Sequence, residues 1–216
     1  MTWPGEAAGE KEPEEGAGFA GDGRPEQQQQ GEVSEEIEEE LPRLRMTGHA
    51  PGELEIPAEI AVLEGSPVGG RRGVGIVASR FNGDITNKLL DSALAELDRA
   101  GVAREAITVM PVPGAFELPL GAMALAKTRR YSCIVALGCV IRGETAHFDF
   151  VAGEAASGLQ LAALETGVPV AFGVLTVDTL EQAGARVEKG AEAVRTALEM
   201  ADVFSRLRAS SQQAVP

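Results

Sequence analysis

From Val74 onward, short apolar runs alternate with longer segments of helical period. The apolar runs have the length of buried strands and occupy residues 74–79, 106–112, 133–141 and 169–177. Between and after them, apolar residues recur every three to four positions, as they do along one face of an amphipathic helix. Glycines at 101 and 167 follow two of these segments and indicate helix ends. The predicted helices span residues 85–100, 117–129, 148–165, 179–187 and 190–207.

Strands that alternate with helices in this way predict a parallel sheet covered by helices on both faces. We therefore expect an α/β fold, a three-layer αβα arrangement of the flavodoxin-like kind with a four-stranded parallel sheet and right-handed crossovers. A further apolar run, IAVLEG at residues 60–65, precedes the set and is separated from it by the Gly- and Pro-rich stretch SPVGGRRG. It predicts a short extra N-terminal strand, which pairs either within its own chain or with a neighbouring subunit.

Polar and aromatic residues follow each of the four predicted strands. They lie at residues 80–82, 113–117, 142–147 and 178–179, and Arg186 comes about two helical turns after the last strand. In open parallel sheets, ligands bind beyond the carboxyl ends of the strands. These loops together supply aromatic rings, a carboxylate, a histidine, an arginine and glycines, so the sequence predicts a binding pocket at this edge.

Each of these residues also has a purely structural interpretation. Phe81 could cover the end of the sheet, and Glu117 could be a carboxylate favoured by a helix N-terminus. His147 could be structural and Arg186 could lie on a solvated helix face. The GxxxxGK[ST] loop of nucleotide-binding proteins and a GxGxxG fingerprint in a suitable context are both missing. Only two histidines occur, and His49 falls outside the predicted folded part, so no spacing of metal ligands appears.

The net charge of -14 is concentrated at the N-terminus. Residues 1–40 hold 13 acidic and 2 basic residues, whereas the other 176 hold 20 and 17. Such a Glu-, Gly-, Pro- and Gln-rich segment buries too little apolar surface to offset the entropy of ordering it. We expect a disordered acidic tail (1–45), a linker (46–59), a folded domain (60–208) and a flexible C-terminus (209–216). An alternative is that translation starts at Met46.

The composition also restricts the partners and the location. No basic patch points to nucleic acid, and no run of about 18 apolar residues points to a membrane. The start of the chain lacks the basic region and apolar core of a signal peptide. Cys133 and Cys139 are six residues apart on one predicted strand, about 20 Å, which is too far for a disulfide. Buried, reduced thiols of this kind are typical of a cytoplasmic protein.

Several ordered motifs resemble the lumazine synthase family. They are GIVASRFN, VPGAFELP, LGCVIRGETAHFDFVAGEAASGL, VPVAFGVLT, TLEQA and KGAEAVRTALEMA, and the resemblance covers about residues 60 to 207. The acidic tail has no part in the resemblance. It implies a transferase of riboflavin biosynthesis that condenses 5-amino-6-(D-ribitylamino)uracil with 3,4-dihydroxy-2-butanone 4-phosphate. The product would be 6,7-dimethyl-8-ribityllumazine, formed with no metal and no redox cofactor.

The resemblance also implies a role for individual residues. His147 would transfer protons during the condensation. Glu144, Thr145 and Arg186 would bind the butanone phosphate, and Asn82 and Lys189 are further candidate contacts. Phe81 would stack on the pyrimidine and Glu117 would accept bonds from ribityl hydroxyls. The full set expected around the ribitylaminouracil is Phe81, Ala115, Phe116, Glu117, Cys139, Val140, Ile141 and Phe172.

For the assembly, the resemblance implies a homo-oligomer, a pentamer that in some members builds paired pentamers or an icosahedral shell. Active sites would lie between neighbouring subunits, and riboflavin synthase is a candidate protein partner. One departure is that only VEK separates Arg186 from Gly190, where the family has a longer Gly- and Lys-containing segment. The alternative function is that of a paralogue that forms shells or binds lumazine or flavin without catalysis. A third possibility, a phosphoacceptor regulator, would need clustered aspartates at strand ends, which this sequence lacks.

Overall fold

The computed structural model describes residues 54–213, and the side chains of residues 54–210. The predicted acidic tail and residues 46–53 of the predicted linker lie outside the described residues. Within the described range the chain forms four strands and five α-helices, together with two 3-10 turns at Arg104–Ala106 and Ala115–Glu117. The elements are β1 (Val74–Ser79), α1 (Gly83–Arg99), β2 (Ile107–Val112), α2 (Leu118–Lys127), β3 (Cys133–Ile141), α3 (His147–Thr166), β4 (Val170–Val177), α4 (Leu180–Gly184) and α5 (Lys189–Gln213).

The four strands form one parallel sheet in the order β2-β1-β3-β4. Val74 pairs with Ile107 on one side and with Cys133 on the other, and Ile134 pairs with Val170. The chain thus adds β2 to one side of β1 and then places β3 on the opposite side. The loops after β1 and β3 diverge at this switch point and leave a crevice for a ligand. The predicted α/β fold with a four-stranded parallel sheet is confirmed.

The central strand β3 shows why the sheet is covered on both faces. Eight of its nine residues are buried. Successive side chains point to opposite faces, so Val135 and Leu137 join the core beneath α1 and α5, whereas Ile134 and Ala136 join the core beneath α2 and α3. In agreement, α1 packs against α5 and α2 packs against α3. The result is the predicted three-layer arrangement.

The helix ends agree with the sequence at two glycines and differ at two other places. Gly101 and Gly167 adopt positive φ of 79° and 66°, which glycine adopts without steric cost. By contrast, α4 ends at Gly184 and turns follow it up to α5. The helix α5 continues to Gln213, six residues past the predicted end. The prediction followed apolar periodicity, which stops at Leu207, whereas Ala, Arg and Gln continue a helix through backbone propensity alone.

The apolar run at residues 60–65 is not a strand within this chain. Residues 61–69 have no regular secondary structure, and Ile60 and Val62 are about half exposed. The edges of the sheet are β2 and β4, and neither pairs with this run. Pairing with a neighbouring subunit, the second possibility expected from the sequence, stays a prediction. No helix among residues 54–213 is long and apolar enough to cross a membrane.

One carboxylate on α5 fixes the course of the segment that leads into β1. The N–H of Ser66 donates to Asp202 Oδ2 at 3.1 Å, and Arg72 Nη2 lies 2.7 Å from Oδ1. Arg206 Nε, one turn further along α5, donates to Oδ2 at 2.9 Å. Gly65 passes so close to the helix that an added Cβ would lie 2.2 Å from the carbonyl oxygen of Glu199. Asp202 therefore fastens residues 65–72 to the surface of α5.

We expect Asp202→Asn to lower the melting temperature near neutral pH but not in acid. The N–H of Ser66, followed by the charges of Arg206 and Arg72, holds the pKa of Asp202 below its usual range. A carboxylate with a lowered pKa in the folded state stabilises it above the pKa of the unfolded chain. This contribution disappears as the pH falls through the folded pKa. Thermal denaturation of both proteins between about pH 7 and about pH 3 should show the difference shrinking.

The control for this comparison is Asp98→Asn, which removes an exposed ion pair on α1 and should change the melting temperature little at any pH. A difference between wild type and Asp202→Asn that is the same at both ends of the pH range would contradict the ionic role of Asp202.

Candidate active site

A cavity of about 790 Å³ opens at the carboxyl ends of β1, β2 and β3, beside the switch point of the sheet. Such crevices are where ligands of parallel α/β sheets bind. Three loops and the first turn of α3 line it. The lining residues are Phe81, Asn82, Gly114, Ala115, Phe116, Glu117, Cys139, Val140, Ile141, Gly143, Thr145, His147, Phe148, Phe150 and Val151.

The loop after β1 presents Phe81 at the cavity. Two backbone bonds tie this loop to the end of β2, from Arg80 N to the carbonyl of Val112 at 2.8 Å and from Phe81 N to that of Pro113 at 3.0 Å. The backbone is thereby fixed while the Phe81 side chain stays 71% exposed. An aromatic ring held in this way can stack on a planar heterocycle.

Asn82 joins the loops on the two sides of the switch point. It adopts a left-handed conformation with φ 56°, and its carbonyl accepts the N–H groups of Ile85 and Thr86 at the start of α1. Its side-chain Nδ2 donates to the carbonyl of Cys139 at 2.9 Å. Asparagine tolerates this conformation better than most residues. The predicted contact residue therefore lines the cavity and also anchors the end of β3.

Glu117 lies at the cavity as the last residue of the 3-10 turn after β2. Its Oε2 accepts a bond from the N–H of Gly114 at 2.9 Å, so it closes its own loop like a helix-capping carboxylate. Oε2 of Glu117 therefore has the purely structural role that was considered above, that of a carboxylate at the start of a helix. A carboxylate has about four acceptor positions, so hydroxyl groups of a ligand can still be bound. Beside it, Ala115 is buried and Phe116 is 57% exposed.

The end of β3 contributes a wall of buried backbone, formed by Cys139, Val140 and Ile141. Both cysteines of the chain are free and buried. Burial raises the pKa of Cys139 to about 11 and that of Cys133 to about 12. Because the thiolate is the nucleophilic form, Cys139 is a neutral, inert wall residue at physiological pH.

The turn after β3 leads directly into α3, and His147 is the first residue of that helix. The His147 N–H points to Thr145 Oγ1 at 3.4 Å. The side chain of His147 is exposed and lines the cavity together with Thr145. Backbone N–H groups in the turn that leads into α3 can attract an anion, so this corner suits a phosphate group. Glu144 is exposed and does not line the cavity.

Three other predicted residues lie outside this chain's own cavity. Phe172 is the third residue of β4 and pairs with Ala136, three positions before Cys139 and thus about 10 Å along the strand from it. Its side chain is 46% exposed on the edge of the sheet. Arg186 lies in the turns after α4 and donates to the carbonyl of Gln182 at 2.9 Å. Lys189 pairs with Glu192 on α5.

The charge of the cavity follows from this arrangement. Among the residues of the described chain that line it, none is a lysine or an arginine. Its ionisable side chains are Glu117, His147 and the neutral Cys139. The described residues of one chain therefore line the cavity with apolar and aromatic groups but offer a phosphate dianion no permanent cation.

Three apolar residues of the cavity wall, Phe148, Phe150 and Val151, were not predicted from the sequence. They follow His147 in the first turn of α3, and Phe150 and Val151 lie three and four positions after it. Residues at these spacings share a helix face, so the helical period alone could have identified them.

The sheet order and the cavity define a flavodoxin-like α/β protein with a candidate ligand site at the topological switch point. The family model described as 6,7-dimethyl-8-ribityllumazine synthase matches residues 72–205. The chain belongs to the 6,7-dimethyl-8-ribityllumazine synthase family and is an enzyme of riboflavin biosynthesis, a transferase.

Relatives from two bacteria carry the same name. One from Edwardsiella ictaluri (strain 93-146) is 57% identical over 142 residues, which cover 63% of this chain and 91% of the relative. One from Yersinia pestis (strain Pestoides F) is 51% identical over 153 residues, which cover 68% and 98% of the two chains. The expectation drawn from the sequence motifs is thereby confirmed at the level of the family.

Proposed function

We propose that the protein condenses 5-amino-6-(D-ribitylamino)uracil with 3,4-dihydroxy-2-butanone 4-phosphate to give 6,7-dimethyl-8-ribityllumazine, with release of phosphate and two molecules of water. The observation that carries the proposal is the convergence of Phe81, Glu117, Thr145 and His147 on one cavity. They combine an aromatic face, an acceptor of hydroxyl groups, an anion-binding turn and a proton-transfer group. A paralogue without catalysis would have no need of the last two.

The pyrimidine substrate fits the half of the cavity near β1 and β2. We assign the stacking surface to the ring of Phe81, whose loop is fixed by backbone bonds to β2. Glu117 would accept bonds from the ribityl hydroxyls. The backbone at Cys139–Ile141 would bind the edge of the pyrimidine, held in place there by Asn82.

The phosphate of the second substrate fits the corner at the start of α3. Backbone N–H groups of residues 143–147 and the Thr145 hydroxyl can donate to it. The carboxylate of Glu144 would repel a phosphate, so only the backbone of this residue can contribute, which narrows the role expected from the sequence. The cation is assigned to Arg186, whose planar guanidinium matches a phosphate in two places.

The reaction requires proton movement at several steps. The amine of the pyrimidine attacks the ketone, and loss of water gives an imine. Phosphate then leaves, and ring closure with loss of a second water completes the product. His147 lies at the cavity next to the phosphate corner, and an imidazole can both accept and donate a proton. Holding the two substrates together can lower the barrier by up to about 7–11 kcal/mol, more than one proton-transfer group contributes.

The proposed assembly of several chains is based on expected site residues that lie outside the cavity of their own chain. None of the described residues that line it is a lysine or an arginine, whereas Arg186 and the exposed ring of Phe172 both lie outside it, on the β4 side of the sheet. We propose that the β4 side of a neighbouring chain completes each site, with Phe172 over the pyrimidine and Arg186 on the phosphate. Such a contact joins two different surfaces, the cavity of one chain and the β4 side of the next. It therefore repeats from chain to chain around a closed ring, which the resemblance implies is a pentamer.

Turnover of the two purified substrates tests the proposed function directly. The enzyme should form the lumazine, detected by chromatography, at a rate far above the uncatalysed condensation. A protein that binds the lumazine tightly without forming it would instead be the shell-forming or ligand-binding alternative.

We expect His147→Ala to slow turnover by about a hundredfold without abolishing it, because substrate positioning survives. General acid–base catalysis contributes about 10²–10⁴-fold, and the amine and water can carry part of the proton transfer here. Steady-state kinetics with and without added imidazole would check this, since a small base that enters the space left by the side chain should restore part of the rate. A complete loss of turnover that imidazole cannot restore, with unchanged binding of the lumazine, would contradict the assignment.

A further inference from the structure

Arg142, the first residue after β3, contacts three separate elements. Its N–H donates to the carbonyl of Val177 at the end of β4, at 2.9 Å. Its Nε lies 3.1 Å from Asp178 Oδ1, and its Nη1 lies 3.1 Å from Asp149 Oδ1. The guanidinium also stacks on the ring of Phe148, 4.0 Å from its centroid. One side chain thus joins the loop after β3, the loop after β4 and the first turn of α3.

On one side, these contacts lead to the proton-transfer residue. Phe148 and Asp149 are the second and third residues of α3, directly after His147. Phe148 also lines the cavity. A guanidinium that stacks on one of these residues and pairs with the other restrains the rotation and the tilt of the first helical turn. The orientation of the His147 side chain depends on that turn.

On the other side, the contacts lead to the proposed phosphate ligand. The N–H of Asp178 donates to Gln182 Oε1 at 2.9 Å. The carbonyl of the same glutamine accepts a bond from Arg186 Nη1 at 2.9 Å. A continuous set of contacts therefore runs from Arg142 through Asp178 and Gln182 to Arg186. It spans the whole of α4.

We propose that Arg142 is a positioning residue that holds two half-sites in register. Through Phe148 and Asp149 it orients His147 toward its own chain's cavity. Through Asp178 and Gln182 it fixes Arg186, which the proposed function assigns to the cavity of the neighbouring chain. The inference rests on the proposed function for the identity of the substrates, but the contacts themselves do not depend on it.

The alternative role for Arg142, which lies beside the phosphate corner, is that of a phosphate ligand. The geometry argues against it. Asp149 and Asp178 each pair with the guanidinium, and the ring of Phe148 covers one of its faces. The charges of the arginine and the two aspartates add up to a net negative charge. An arginine that is already paired with two carboxylates in this way is a weak ligand for an anion.

A purely stabilising role is also a poor account of these contacts. The side chains of Arg142, Asp149 and Asp178 are 45%, 61% and 68% exposed. Ion pairs this exposed contribute little to the free energy of unfolding. Their effect is instead on geometry, and a displacement of about 1 Å at a site can cost a hundredfold in rate.

The first measurement is hydrogen exchange by mass spectrometry on wild type and Arg142→Ala. Peptides covering residues 143–151 and 178–186 should exchange several-fold faster in the variant, because both lose a restraint. The control is Arg104→Ala, which removes an exposed ion pair with Asp98 outside the site and should leave both peptides unchanged. Unchanged exchange in both peptides of Arg142→Ala would overturn the proposal, whatever the substrates are.

The second measurement separates positioning from binding by steady-state kinetics. Arg142→Ala should lower kcat and raise KM for the butanone phosphate, together about ten- to a hundredfold in kcat/KM, and leave the dissociation constant of the pyrimidine unchanged. Asp149→Asn and Asp178→Asn should each raise the KM for the butanone phosphate. If Arg142 were a phosphate ligand, removal of these competing carboxylates would lower that KM, and this result would overturn the proposal.

The two proposals fail in different ways. A wild-type protein that does not convert the two substrates refutes the proposed function, while the exchange experiment still decides the role of Arg142. Normal turnover by wild type with normal kinetics in Arg142→Ala refutes the positioning role alone. Arg142→Lys keeps one charge but not the two-sided pairing and stacking, so it should restore only part of the lost activity.

Discussion

Refolding Glu117→Ala and Arg186→Ala chains together in equal amounts should restore about a quarter of the wild-type activity. Each variant alone should be nearly inactive. In a ring with sites between chains, a site is intact where the Glu117 side comes from the Arg186→Ala chain and the Arg186 side from the Glu117→Ala chain. With random mixing, half of the positions satisfy each condition, and about a quarter satisfy both.

The expectation rests on where the two side chains lie. Glu117 lines the cavity, whereas Arg186 follows α4 and does not line the cavity of its own chain. The measurement is the activity of the mixture, relative to each variant refolded alone. Wild type mixed with the Glu117→Ala, Arg186→Ala double variant is the matched control. After the chains mix, its activity should be about one quarter if sites lie between chains and about one half if each chain holds a whole site. Native mass spectrometry of the refolded oligomers verifies the mixing itself.

Activity of the mixture no higher than that of the separate variants, in a sample where native mass spectrometry shows mixed oligomers, would place both residues in one chain's pocket. The ring geometry would then be wrong even if the reaction is right.

The second large effect is expected for Arg186→Ala by itself. Since no lysine or arginine among the described residues lines the cavity, Arg186 is assigned as the main permanent positive charge at the phosphate. Loss of a group that stabilises developing charge typically costs about 10²–10³-fold in rate. We expect a fall of that size in kcat/KM for the butanone phosphate, with little change in pyrimidine binding. Steady-state kinetics and a separate pyrimidine titration measure the two quantities.

Arg186→Lys serves as the matched variant, because it keeps the charge and loses the planar fork. It should lie between wild type and Arg186→Ala. If instead only the affinity for the pyrimidine falls, Arg186 does not bind the phosphate. The short stretch between Arg186 and Gly190 would then have moved the guanidinium away from the role that the resemblance implies.

The sheet could be predicted from the sequence because its signal is local. Each strand is a short apolar run, and β3 is buried along nearly its whole length, so hydrophobic pattern and structure coincide. The loops that line the cavity could be predicted for the same reason, since Phe81, Glu117 and His147 follow strand ends directly. Their chemical roles were proposed from the resemblance and stay predictions.

Other features depend on contacts that no local pattern records. The run at residues 60–65 has the composition of a strand, but a strand also needs a partner, and the described part of the chain, residues 54–213, gives it none. The end of α5 is set by backbone propensity rather than apolar spacing. The contacts of Arg142 join residues 7 and 36 positions away, and Asp202 joins Ser66 across 136 positions. Only the folded chain reveals these pairs.

The state of the two cysteines has a practical consequence for labelling. The chain contains only Cys133 and Cys139, and burial leaves each with a pKa several units above neutral pH. Maleimides react with thiolates, so wild type should be close to silent toward them. A single cysteine introduced at an exposed position such as Gln160 would then carry nearly all of the fluorophore. Dyes attached in this way could report the exchange of subunits in the proposed assembly without removal of either native cysteine.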